Sequence, residues 1–247
     1  AEAVYLDLSA EDQPAADRIR ALDEWIALHE RRGRIDEALA VFEQWERTAS
    51  EILPAPQLAV RMADKFDLYA LDGDREHGER RLTELEARIP PPFDGFLGQG
   101  GALLALADGD HEAAVGRIDR FAAAVEATGV KILDWRVASL RAWQLSLAGD
   151  HEAALAACDR AHELDPTRRT VLRHRARSLL AMGDVDAALS AVDSLLAVDT
   201  HHPTALWLRA RALTAAQRVD EAVTVYERLL TVWKDADPDF APALEAR

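Results

Sequence analysis

The chain has 247 residues, of which 49% are apolar; that is enough to bury a sizeable core, and no run approaches the roughly 18 apolar residues of a membrane span. A formal net charge of −15 repels nucleic acid and anionic membranes over most of the surface, which argues against both as partners. A single cysteine, Cys158, excludes an internal disulfide framework and any Cys-rich zinc site. The cysteine usage reads as cytoplasmic, whereas the start Ala-Glu-Ala without Met reads as processed or cut from a larger protein, and a processed Ala1 would point to the periplasm.

In chain order, residues 1–14 form a lead-in, and Asp12, Gln13 and Pro14 give a helix start. A series of related turns follows. Gly33 opens GRIDEAL, Gly73 opens GDREHGE, Gly109 and Gly149 each open GDHEAA, Gly183 opens GDVDAAL, and Gln217 stands in the same place in QRVDEAV. The intervals are 40, 36, 40, 34 and 34 residues. Five residues after each marker stands a small residue: Ala38, Gly78, Ala114, Ala154, Ala188 and Ala222. Nine after come Phe42, Leu82, Ile118, Cys158, Val192 and Tyr226, and twelve after come Trp45, Leu85, Phe121, Ala161, Leu195 and Leu229, so the three columns form one helical stripe. Seven before lie Ile26, Phe66, Ala102, Ala142, Ala176 and Ala210, which places another helix ahead of each turn.

Each unit therefore reads as helix, tight turn, helix. The marker glycine ends the first helix in a left-handed conformation, and Asp110, Asp150 and Asp184 cap the second. The expected units are about 15–52, 56–88, 96–127, 131–165, 168–198 and 203–234, followed by a capping segment at 235–247 whose end, Asp239 to Arg247, is short enough to suggest truncation. IPPPFDGFLGQGG, from Ile89 to Gly101, reads as a flexible proline and glycine loop where the array bends or breaks.

The turns, the small column, the apolar column and endings such as AHELDP at Ala161 to Pro166 resemble the tetratricopeptide repeat family, whose helical pairs recur every ~34 residues. The resemblance covers about residues 15–234 and is most specific in the last three units. It implies an all-α, right-handed superhelix of about six repeats acting as a non-enzymatic protein-interaction scaffold. The tail WKDADPDFAPALEAR also resembles the ends of arrays attached to bacterial signalling and regulatory proteins.

No constellation supports catalysis, and no cofactor or metal is expected. A zinc protease helix needs a second His where Val115 and Leu155 stand, so His111 and His151 read as exposed first-turn residues. His201 and His202 read as loop residues, and Cys158 occupies the buried column, where a thiolate is disfavoured. A metal-dependent hydrolase built on these histidines is the least favoured alternative. A self-assembling array that stacks end to end is another.

In the resembled family the first helices of the units line a concave groove that binds peptides. Ten before each marker stand Asp23, Ala63, Gln99, Ser139, Arg173 and Trp207; six before stand Ala27, Asp67, Leu103, Trp143, Arg177 and Arg211. The first units offer acid or nothing, and the last three offer Arg and Trp. The segment from Arg168 to Leu180 carries five Arg and no acid. The expected binding residues are accordingly Trp143, Arg173, Arg177, Trp207 and Arg211, for a protein or peptide partner of acidic or C-terminal-carboxylate character, with the acidic N-terminal half repelling it. A monomer is favoured over a homodimer.

Overall fold

The computed structural model describes residues 2–10, 12–168 and 170–247, and among these residues there is helix and turn and no strand. After α1 (Glu2–Leu8), unit one is α2 (Ala15–Arg31) and α3 (Ile35–Ile52), and unit two is α4 (Ala55–Ala63), α5 (Phe66–Asp72) and α6 (Arg75–Arg88). Unit three is α7 (Gly98–Ala107) and α8 (His111–Thr128), and unit four is α9 (Asp134–Leu147) and α10 (His151–Leu164). Unit five is α11 (Thr170–Ala181) and α12 (Val185–Leu196), unit six is α13 (Pro203–Ala215) and α14 (Val219–Val232), and α15 (Ala241–Glu245) follows.

The turn chemistry explains why the chain breaks where it does. Gly33, Gly73, Gly109, Gly149 and Gly183 all have φ between +70° and +83°, and Gln217 takes the same left-handed conformation at +58°. The carboxylates of Asp74, Asp110, Asp150 and Asp184 then accept hydrogen bonds from the amides of His77, Ala113, Ala153 and Ala187, at 2.9 to 3.2 Å. The small column is buried throughout: Ala38, Ala114, Ala154 and Ala188 are 0% exposed. So is the column ahead of each turn, from Ile26 and Phe66 through Ala210. These two columns let paired helices approach, and the larger residues at nine and twelve fill the space between neighbouring units.

A further period links the units. Arg141, Arg175 and Arg209 form ion pairs with Asp119, Asp159 and Asp193, each Asp lying on the second helix of the preceding unit. Every one of these acids stands ten residues after its marker, a column that is acidic at five of the six markers and broken at Thr83.

Two expectations need correction. The first helix of unit two is split into α4 and α5 at Asp64 and Lys65, which accounts for part of the irregular spacing. The proline and glycine stretch is not a flexible loop: Phe93–Leu97 is a 3-10 turn, and Gly98, Gly100 and Gly101 lie in α7, fully buried. The glycines are there for closeness. A Cβ on Gly98 would sit 2.6 Å from the Arg117 carbonyl, and one on Gly100 would sit 2.7 Å from the Phe66 ring.

The array also closes on itself. The first unit lacks a capping Asp because Arg34 holds that position. Asp237 from the C-terminal segment supplies it instead, its carboxylate accepting from the amides of Ile35 and Asp36 while its own amide donates to the Gly33 carbonyl at 3.0 Å. Phe240 lies so close over Gly33 that any Cβ there would meet its ring at 2.6 Å. Ile35 is buried in one cluster with Trp233 and Phe240, and Arg31 pairs with Asp199 at 2.9 Å. The segment expected to be a short free cap is thus the joint between the last unit and the first.

Candidate binding cleft and ring interior

The first helices of successive units run side by side, with α9 against α7 and α11, and α11 against α13, so the two groove columns face one concavity. On α11 the spacing of four places Arg173 and Arg177 one turn apart on a shared face. The packed stripe is Val171, Ala176 and Leu179, and the arginines lie beside it.

Four of the five expected residues come together. The Arg177 guanidinium carbon lies 5.5 Å from the Trp143 ring centroid and 6.0 Å from that of Trp207, and Arg211 lies 4.6 Å from Trp207. The result is an alternating stack of indole and guanidinium. His174 stacks on the other part of this cluster, 5.4 Å from Trp143. Beside the stack is a cleft of about 480 Å³ lined by Leu106, Trp143, Leu147, Arg177, Leu180 and Arg211. No ion pair among the described residues includes Arg177 or Arg211. Burial, with the charges of Arg173 and Arg211 close by, pushes the Arg177 guanidinium down to about 10.

Arg173 is the exception. It lines a second hollow, on the inside of the ring, together with Asp67, Gln99, Arg136 and His174. Its field acts on the carboxyl of Asp67, which lines the same hollow, and on that of Glu30, two acids from the N-terminal units. The acidic half therefore does not stand apart to repel a ligand: curvature brings its acids opposite the Arg of unit five. Glu30 was not visible as a site residue, since nothing local to α2 marks it. Its partner Asp67 stood in the groove column, and only the closed ring joins them. Arg169 of the arginine-rich segment lies outside the described residues.

His111, His151, His201 and His202 sit at two helix starts and in one loop. His111 and His151 begin α8 and α10 and are half-buried, not exposed, because side chains at a helix start lean back over the preceding turn. His201 is exposed and His202 half-buried at the ring interior. Among the described residues no three His, Cys, Asp or Glu side chains gather as a metal site. Cys158 is 1% exposed, and burial pushes its thiol up to about 11, which disfavours a nucleophilic thiolate.

The family model for the tetratricopeptide repeat matches residues 174–239, which span most of units five and six and the joint that follows. Comparison with curated proteins found no match.

Proposed function

From the match of residues 174–239 to the tetratricopeptide repeat, a family whose helical pairs mediate protein–protein interaction, we propose that this chain is a non-enzymatic interaction module that takes an acidic or C-terminal-carboxylate segment of a protein partner in the cleft lined by Trp143, Arg177 and Arg211, with Trp207 stacked against both arginines. The observation that carries the reading is the charge of the cleft: Arg177 is half-buried between two indoles with Arg173 and Arg211 as its charged neighbours and no acid paired to it. A half-buried cation without an acid favours an incoming carboxylate, and a guanidinium offers it two parallel donors. The indoles supply flat apolar area beside those donors.

A hexaglutamate peptide with a free C-terminal carboxylate tests the reading against the double variant Arg177→Glu, Arg211→Glu. The parent protein is expected to bind it, with affinity falling as salt shortens the Debye length from about 10 Å at 0.1 M to about 3 Å at 1 M. The charge-reversed protein, once shown to keep its helicity, is expected to lose binding. Equal affinity in the two proteins would place the interaction surface elsewhere.

A further inference from the structure

Closing the ring gives the array an interior as well as a groove. The hollow there measures about 520 Å³, within the size range of small-molecule sites, and all six units contribute to it: Arg31, Asp67, Gln99, Arg136, Arg173 and Thr204. Most of its charges are already matched. Arg31 pairs with Asp199 at 2.9 Å, Arg168 with Asp165 at 2.9 Å, and Arg136 with Asp64.

Arg173 is not matched in this way. No ion pair or hydrogen bond among the described residues includes it, and its Nε is buried without a partner. The carboxyls whose field it feels, Glu30 and Asp67, are held above the ordinary carboxylate range by burial, and Asp67 raises Glu30 further. Lys65 acts on both carboxyls, more strongly on Asp67 than Arg173 does, and Arg31 acts on Glu30 as well. Two further groups are incomplete. Gln99, 5% exposed, donates its side-chain amide to Asp64 at 2.6 Å and leaves Oε1 without a donor; His174, 4% exposed, has Nδ1 unpartnered. The hollow thus sets Arg173 and Asp67 in one lining, neither of them in an ion pair among the described residues, while Glu30 stands outside the lining.

A simple anion would satisfy Arg173 and add to the negative field on the carboxyls. A simple amine would satisfy Asp67 and repel Arg173. One small molecule carrying both groups completes both sets, since charge-assisted hydrogen bonds form at each end. We propose that the ring interior is a binding site for a small zwitterion of the free amino-acid class, its carboxylate held by Arg173 and its ammonium by Asp67, both of which line the hollow. Trp143 lines both this hollow and the cleft at Arg177 and Arg211, but Arg173 and Asp67 line the hollow alone, so the proposal stands whether or not that cleft binds a peptide.

The test is calorimetric titration of the whole protein with each of the twenty standard amino acids, at up to about 10 mM, repeated in buffers of different ionisation heat near neutral pH. At least one amino acid is expected to bind and to release a proton, because an arriving ammonium lets a buried carboxyl ionise. Its N-acetyl and methyl-ester forms, which each lack one charge, should bind more weakly by roughly tenfold or more. Arg173→Gln and Asp67→Asn, checked for intact helicity, should each weaken binding of the free amino acid by a similar factor. Failure of all twenty to bind would overturn the proposal. Undiminished binding of the N-acetyl form would also overturn it, by showing an anion site only, and that comparison needs no variant to fold.

Discussion

At the scale of single residues, the interior carboxyls make stability depend on pH in a definite direction. Glu30 is raised from 4.5 up to about 8 in the folded protein, chiefly by burial and then by Asp67. The folded state therefore holds a proton that the unfolded state releases, so this contribution is fully present below about pH 4.5 and is lost as pH rises toward 8. Because Glu30 and Asp67 titrate as a pair, removing one charge should relieve both. Glu30→Gln is expected to be more stable than the parent at pH 8, by on the order of a few kcal/mol, and equal to it near pH 4. Urea unfolding across that range checks it; parallel stability curves would show that the pair is solvated and ionised.

Among helices, the small column decides how close two axes come. Ala188 is 0% exposed on α12, so a larger side chain there would have to displace its neighbours. Ala188→Leu is expected to cost roughly 1–3 kcal/mol through overpacking. Ala113→Leu, at an exposed position one residue off the column of α8, should change stability by less than about 0.5 kcal/mol. Denaturant midpoints of the two variants make the comparison. The same closeness governs α7, where glycine replaces alanine because the Phe66 ring and the Arg117 backbone leave no space for a Cβ.

For the whole molecule, the joint couples the two ends of the chain. In an open repeat array the first helix start would be solvated, and each unit would touch only its neighbours. Here Asp237 caps α3 across about two hundred residues of sequence, and Phe240 covers Gly33. Asp237→Ala is expected to cost about 1 kcal/mol as a lost cap. It should also accelerate amide exchange at Ile35 and Asp36 and in α15, at the two ends of the chain together. Asp184→Ala, a cap of the ordinary local kind, should cost a similar amount with faster exchange confined to unit five. Identical exchange patterns in the two variants would show that the ends are not coupled.

Much of this architecture was legible in the order of residues. Turn chemistry is local: a left-handed residue, followed in four of the units by a capping Asp, ends one helix and starts the next within a few positions, so the markers could be read directly, and Gln217 from its spacing. The buried columns were legible for a related reason, since helical periodicity maps spacing onto one face. The Trp and Arg of the cleft emerged from the same columns. The glycines of α7 misled because glycine serves both freedom and closeness, and only the neighbouring Phe66 and Arg117 say which. Arg173 opposite Glu30 and Asp67, and Asp237 on the start of α3, lay beyond any local signal. Both depend on small rotations summed over six units until the last meets the first, and that sum is fixed by how every interface packs, not by any residue alone.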